Sequence, residues 1–164
     1  MLLVFAAHAA ALPPCADAAT PPEPVQVSVT THGHTVGGLG IASLTPEGWS
    51  LTLLAPAGIE LFTVSGPPAT VATGLDKWRP WLERLPVERD LRLAFTPTTE
   101  GACAAGDGRI RTEVTPDGWT RRWHGPGGCA RATRSGGKLV LVDRRRGYTL
   151  TIVGPTAPEG DAPR

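Results

Sequence analysis

Short stretches of alternating apolar and polar residues, each ended by glycine or proline, recur along the chain from residue 25 to residue 153. Val25, Val27 and Val29 alternate with polar residues, and residues 49–53 repeat this period after a Pro-Glu-Gly turn signal. A period of two is typical of half-buried strands, and 20 glycines and 17 prolines leave little room for long helices. The sequence therefore predicts a mainly β fold of about ten short antiparallel strands. The predicted strands are residues 25–30, 37–45, 49–53, 59–64, 90–95, 109–114, 119–123, 130–134, 138–143 and 147–153.

One segment has the spacing of a helix. Apolar residues fall on one face of residues 75–85, Pro80 predicts a kink inside this helix, and Pro86 follows its end. Residues 65–73 and 96–108 are predicted to be loops, since both are rich in small residues. Because a twisted sheet of about ten strands tends to curl, we predict an antiparallel half-open β-barrel with the helix packed on its concave side.

The first residues resemble an export signal. Residues 1–12 are apolar and alanine-rich, as in the central part of a secretory signal, although an initial positive charge is missing. A first core strand or helix is the alternative. Processing has two candidate sites, cleavage after Ala18 or lipidation at Cys15, which ends a segment similar to a lipobox. The predicted organisation is an export signal over residues 1–19, a proline-rich spacer over 20–24, a single β-rich domain over 25–153 and a flexible tail over 154–164.

The other two cysteines flank a predicted hairpin. Cys103 and Cys129 lie at nearly equal distances from its turn at residues 115–118. Closing the hairpin would bring them together at its base, and an exported chain meets an oxidising compartment. We therefore predict a disulfide between Cys103 and Cys129, with two free buried thiols as the alternative.

No motif of catalytic residues stands out. The nucleophile elbow G-x-S-x-G and the glycine-rich phosphate loops are missing from the sequence. His32 and His34 share a spacing that would suit a metal, but a third ligand cannot be identified, and His124 stands alone in a glycine-rich segment. We expect a protein that is not an enzyme and has no cofactor and no metal.

Positive charge is concentrated in one part of the chain. Residues 1–108 carry five basic and ten acidic side chains, net −5, whereas residues 109–146 carry ten and three, net +7. Arginines near Trp119 and Trp123 would suit a polyanion. Because export argues against nucleic acid, the expected partners of these basic strands are an anionic membrane surface or an acidic envelope protein. A solvated strand face is the alternative.

The layout resembles a known family of bacterial envelope proteins. The strands in GLGIASLTPEGWSLTLLAPAGIELFTV, the helix in GLDKWRPWLERLP and the strand pair in LVLVDRRRGYTLTIVG together resemble the lipoprotein-localisation family of LolA and LolB. The resemblance covers roughly residues 25–153. It implies a half-open barrel lidded by a helix, with an apolar cavity that accepts acyl chains of lipoproteins in transit to the outer membrane. The candidate cavity residues are Leu39, Ile41, Trp49, Leu51, Leu53, Leu61, Trp78, Trp81, Leu91, Leu93 and Phe95.

Two functions follow as expectations. The first is a non-enzymatic protein of the periplasm or outer membrane that binds a lipid or lipoprotein acyl chain in this cavity. The second is a structural or interaction lipoprotein with a filled core, which docks to envelope partners through its basic strands.

Overall fold

A computed structural model describes residues 11–21, 23–126 and 128–154, which form one antiparallel sheet of eleven strands. The strands are β1 Val25–Thr31, β2 His34–Leu44, β3 Trp49–Leu54, β4 Glu60–Gly66, β5 Thr70–Thr73, β6 Gly101–Ala105, β7 Gly108–Thr115, β8 Gly118–Gly125, β9 Gly128–Ser135, β10 Lys138–Asp143 and β11 Tyr148–Val153.

The strand order is β5-β4-β3-β2-β1-β11-β10-β9-β8-β7-β6. Two meanders, β1 to β5 and β6 to β11, are joined where β1 pairs with β11, in a register that sets Gln26 opposite Val153. The edge strands β5 and β6 are not paired with each other, so the sheet stays open along this seam. This architecture confirms the prediction of a mainly β, half-open antiparallel barrel.

Alternation decides which face of each strand is buried. Val25, Val27 and Val29 of β1 are buried, as are Leu139 and Leu141 of β10, while the residues between them are more exposed. Since successive side chains of a strand point to opposite faces, one face of the sheet forms a continuous apolar interior.

The helical segments lie between β5 and β6. They are a short 3-10 turn, Asp76–Trp78, followed by α1, Arg79–Leu82, and α2, Val87–Phe95. The single helix predicted over residues 75–85 is therefore only partly correct. Pro80 lies in the first turn of α1, where a proline is tolerated, and the chain reaches a second helix after Pro86.

The strand predicted over residues 90–95 is wrong, because these residues belong to α2. Leu91, Leu93 and Phe95 do alternate along the chain, but Val87, Leu91 and Ala94 also follow helical spacing, and all of them are buried. Glu88 and Asp90 lie in the first turn of α2, where negative charge is favourable because the helix dipole is positive at this end.

Two predicted loops contain strands. β5 lies within residues 65–73, and β6 lies within residues 96–108. Both are edge strands of small residues whose pairing with β4 and β7 comes from the backbone. With one predicted strand lost and two gained, the sheet has eleven strands in place of about ten.

The concave side of the sheet is filled by α2. Leu91, Leu93 and Phe95 are at most 3% exposed. The hollow that Leu91 and Phe95 leave against strands β1 to β4 and β11 measures about 30 Å³. That volume suits roughly one water molecule. A helix therefore packs on the concave side as predicted, but it is α2, and it leaves no wide hollow beneath it.

The disulfide joins Cys15 to Cys103, with a sulfur–sulfur distance of 2.05 Å. Cys129 is a free, exposed thiol, so the prediction of a Cys103–Cys129 disulfide is wrong. The chain reverses direction after Ala105, which makes Cys103 part of an extra strand, β6, opposite Ile110 of β7. Cys129 lies on β9, so β7 and β8 separate the two cysteines.

The N-terminal segment covers the free edge of β6. Pro14 forms a parallel bridge to Ala104; the Cys15 N–H donates to the Ala104 carbonyl and the Ala104 N–H to the Pro13 carbonyl, each at 2.8 Å. Further along, the Thr20 hydroxyl bonds to the Leu44 backbone. Contacts with the β-rich domain therefore begin ahead of residue 25.

This disulfide bears on the predicted processing. A sulfur engaged in a disulfide cannot also carry a thioether, so the Cys15–Cys103 disulfide and a lipid on Cys15 exclude each other, and lipidation stays a prediction. Cleavage after Ala18 would remove Cys15 from the mature chain. The rest of the predicted export signal, residues 1–10, and the tail from residue 155 lie outside the described residues. Within the described ranges, no helix has the length and apolar character to cross a bilayer.

Peptide mapping of the non-reduced full chain, which retains Cys15, is expected to recover one cross-linked pair containing Cys15 and Cys103. Cys129 is expected to be alkylated before reduction, because its side chain is exposed. Mass spectrometry of the same digest measures both. A Cys103–Cys129 cross-link, or an acylated N-terminal Cys15, would contradict the observed pairing.

Candidate binding cleft

A cleft of about 380 Å³ opens along the seam between the two edges of the sheet. Val64 of β4 and Val71 of β5 form one wall, Ala105 at the end of β6 lies on the opposite wall, and Leu82 and Val87 close the floor from α1 and α2. The Arg79 guanidinium fixes α1 to β5 by donating to the Val71 carbonyl at 2.9 Å. The lining is therefore largely apolar and comes from distant parts of the chain.

Two tryptophans border this cleft, Trp49 from β3 and Trp123 from β8. The Trp49 ring occupies the space above Gly66, where an added Cβ would lie 2.7 Å from its Cζ2 atom. The Trp123 ring lies against Gly108 in the same way, at 2.3 Å. Glycine is needed at both positions because any side chain would displace the ring.

Both indole N–H groups are buried and have no hydrogen-bond acceptor among the described residues. Trp49 is 9% exposed and Trp123 is 7% exposed. A buried donor without an acceptor costs about 1–3 kcal/mol. Because neither N–H is exposed to the cleft, the feature that most favours a bound molecule is the apolar lining, with the two indole rings at its border.

The floor of the cleft is held in place by a buried polar cluster around Arg89. The guanidinium of Arg89 donates to Asp90 at 2.7 Å, to Asp143 at 2.8 Å and to the Tyr148 hydroxyl at 2.7 Å. The Tyr148 hydroxyl in turn donates to the second carboxylate oxygen of Asp90. Because Asp143 and Tyr148 are opposite each other on β10 and β11, this cluster ties the start of α2 to the centre of the sheet.

The pKa values in the cluster follow from burial and charge. Burial raises the pKa of Asp90 to about 6, against the lowering effect of Arg89. Burial would also raise the pKa of Asp143, but hydrogen bonds from the Arg146 backbone and from Arg89 hold it below its usual value. Burial and the Asp90 carboxylate raise the pKa of Tyr148, which therefore keeps its proton at neutral pH.

The end of α2 is held by a second buried arginine, Arg121 of β8. Its guanidinium donates to the carbonyls of Leu93 at 2.8 Å and Thr96 at 2.6 Å, and it stacks on the Trp119 ring at 3.9 Å. Burial, with some repulsion from Arg134, lowers the pKa of Arg121 to about 10. A cation at the carboxyl end of a helix is favourable because the helix dipole is negative there.

Nine of the eleven predicted cavity residues fall into four groups. Trp49 borders the seam cleft, Leu51, Leu91 and Phe95 border the small residual hollow, and Leu53 and Leu93 are fully buried in the core. Leu61, Trp78 and Trp81 are half-buried against the core. They are not among the residues that line the cleft.

The prediction that Leu39 and Ile41 line the cavity is wrong. They are 41% and 44% exposed and lie on the outer face of β2, because Gly40 and Ala42 take the inward positions of this strand. The predicted set also missed Val71, Leu82, Val87 and Trp123. Trp123 could have been predicted, since it lies on the same face of a predicted strand as Trp119. For the other three residues, no local sequence pattern indicates that they lie near Trp49.

The histidines noted in the sequence stay apart from the cleft. His32 and His34 lie exposed at the β1–β2 turn, and His124 is exposed on the outer face of β8. Across the described part of the chain, no three potential metal ligands come together.

The fold and the cleft define a class of protein: a half-open antiparallel sheet wrapped around a short helix, with an apolar cleft at its seam. Residues 25–154 match the model of a protein family of unknown function, DUF3261, and the chain belongs to that family. No curated protein matches the chain.

Proposed function

We propose that this protein is a non-enzymatic cell-envelope protein that binds the acyl chain of a lipid or lipoprotein in the seam cleft. The observation that carries the proposal is the apolar cleft of about 380 Å³ with two indole rings at its border. Its volume lies within the range of small-molecule sites, roughly 300–1,000 Å³. Each buried methylene of a chain would contribute about 0.8 kcal/mol.

The polar border of the cleft suits the linked end of an acyl chain. An ester or amide carbonyl can accept from the Arg92 guanidinium, which is paired with Glu88 at 2.9 Å and lies at the opening of the cleft. The hydrocarbon would lie against Val64, Val71 and Leu82. Binding of this kind requires apolar area and no catalytic group.

The compartment is supported by the Cys15–Cys103 disulfide, because structural disulfides persist in oxidising compartments. We place the protein outside the cytoplasm, in the periplasm or on the outer membrane. The resemblance to LolA and LolB supports a role in lipoprotein trafficking. In this proposal the bound chain enters at the seam, since the concave side is occupied by α2.

A brominated fatty acid is expected to quench the tryptophan fluorescence of the protein in a saturable way, because Trp49 and Trp123 border the proposed site. Val71→Arg is expected to weaken this binding by at least about tenfold, since it places a charge in the apolar wall. A titration of fluorescence against ligand concentration measures the effect.

The matched control is Val114→Arg, which introduces the same charge at a 51% exposed valine of β7. This variant is expected to bind like the parent protein. Absence of saturable quenching in the parent, or equal binding by both variants, would refute the proposed cleft.

The nearly filled hollow under α2 favours a second candidate function. With only about 30 Å³ left there, the domain can also serve as a rigid interaction module that docks to envelope partners through its basic strands. It predicts no acyl binding in the fluorescence titration.

A further inference from the structure

Three arginines form one row across the outer face of the sheet. Arg111 of β7 is directly opposite Arg122 of β8, and Arg122 is directly opposite Arg131 of β9. All three are exposed, whereas Ile110, Trp123 and Ala130 beside them are buried on the inner face. Because opposed residues on neighbouring strands lie about 5 Å apart, the row concentrates three guanidinium groups on a short stretch of surface.

The surroundings add positive charge to the row. Arg109 lies on the same face of β7, and Arg144 borders a shallow groove next to Arg122 and Arg131. In the described part of the chain, Glu113 is the one carboxylate paired with the row, at 3.8 Å from Arg111 and 3.7 Å from Arg122. Like charges directly opposite each other on neighbouring strands are destabilising, so this arrangement costs the isolated protein stability.

An anionic partner would reverse this cost. Guanidinium groups bind phosphate oxygens through paired hydrogen bonds, and several of them on one exposed face suit an array of phosphates. Nucleic acid is disfavoured because the disulfide indicates an oxidising compartment. An acidic protein is disfavoured because this face has the half-buried Val140 and Val142 in place of an aromatic centre of the kind that dominates protein interfaces.

We propose that the row of Arg111, Arg122 and Arg131 binds the phosphate headgroups of an anionic membrane surface. This inference does not rest on acyl binding in the seam. β8 connects the two features, since Arg122 faces outward and the next residue, Trp123, borders the cleft from within. Membrane contact through the row would therefore bring one wall of the cleft close to the lipid surface.

Co-sedimentation with vesicles tests the proposal. The full chain is expected to bind vesicles of phosphatidylcholine mixed with phosphatidylglycerol, not vesicles of phosphatidylcholine alone, and to be released by added salt. The triple variant R111Q/R122Q/R131Q is expected to bind the mixed vesicles about 100-fold more weakly, because each surface arginine contributes about a fivefold factor. Its thermal unfolding midpoint should be no lower than that of the parent protein, because the variant removes like charges that lie opposite each other.

The matched control is K77E/R84Q, which lowers the net charge by the same three units at exposed positions of the helical segment and is expected to bind within about twofold of the parent. An equal loss in both variants would reduce the effect to net charge and overturn the proposal. Equal binding to both kinds of vesicle would overturn it as well. Release by inorganic phosphate at concentrations too low to change the ionic strength would assign the row to free phosphate and overturn it too. Salt-sensitive capture of an acidic protein without vesicle binding would assign the row to that partner instead.

Discussion

Arg89→Met is expected to lower the free energy of unfolding by about 3–5 kcal/mol, because it leaves two buried carboxylates without their shared cation. Asp90 and Asp143 are 5% and 1% exposed, and both accept from Arg89. Methionine matches the length of the arginine stem but supplies no donor. Urea unfolding at neutral pH measures the change.

The matched control is Arg92→Met, one turn further along α2. Arg92 pairs with Glu88, but both side chains are more than 40% exposed, and an exposed pair of this kind contributes only about 0.3–0.5 kcal/mol. An equally small effect at both positions would contradict the assignment of Arg89 as the residue that anchors α2 to β10 and β11.

The effect of Arg89→Met is expected to grow with pH. The raised pKa of Asp90, about 6, means that the folded chain keeps a proton that the unfolded chain releases between about pH 4 and pH 6. The stability due to Asp90 is therefore greatest below that window and falls as pH rises through it. Without Arg89 the pKa of Asp90 rises further, so the loss measured at about pH 8 should exceed the loss at about pH 5. A pH-independent loss would contradict this role of Arg89.

The alternating pattern predicted most of the sheet but failed in the segment that fills it. Strands such as β1, β10 and β11 are half-buried, so their period of two is visible in the sequence. Residues 90–95 also alternate, yet they form a helix that is enclosed by the curved sheet on nearly every side. Val87, Leu91 and Ala94 do have a one-sided helical pattern, but Leu91, Leu93 and Phe95 fit a period of two as well, and so short a segment does not decide between the two periods.

Local sequence patterns could not predict the cleft or the disulfide, because both depend on pairing between distant strands. Trp49 and Trp123 come together only because β1 pairs with β11, which sets the two meanders edge to edge around α2. The cysteine prediction assumed that the hairpin at residues 115–118 continues to Cys103, and it missed the reversal after Ala105. Small residues in β5 and β6 give no apolar signal, although these two strands define the seam.

The inward position of Arg121 was visible in the sequence, since it lies between Trp119 and Trp123 at the spacing of one strand face. Its role depends on α2. The two buried arginines hold opposite ends of this helix, Arg89 through carboxylates and Arg121 through backbone carbonyls. α2 also forms the floor of the cleft through Val87. The position of the floor therefore depends on both arginines.

Arg121→Met is expected to lower the free energy of unfolding by about 3 kcal/mol, and Arg121→Lys by a smaller amount. Methionine leaves the carbonyls of Leu93 and Thr96 without their donor, at a cost of about 1–3 kcal/mol for each buried unpaired group. It also removes the stacking of the guanidinium on Trp119, which contributes about 0.5–2 kcal/mol. Part of this loss is offset, because a buried charge with a lowered pKa is removed at the same time. Lysine keeps the charge but cannot reach both carbonyls with a planar fork.

Arg122→Met provides the comparison within the same strand. The neighbouring Arg122 faces outward and pairs only loosely with Glu113, so its replacement is expected to change stability by less than about 0.5 kcal/mol. Hydrogen exchange distinguishes a local role of Arg121 from a general one. In Arg121→Met, exchange should accelerate more for amide protons near the carboxyl end of α2 than for those of the distant β2–β3 pair. The reason is that the lost hydrogen bonds, to the carbonyls of Leu93 and Thr96, lie at this end of the helix. Uniform acceleration across both regions, or equal stability of the Arg121 and Arg122 variants, would show that Arg121 does not hold the helix in place.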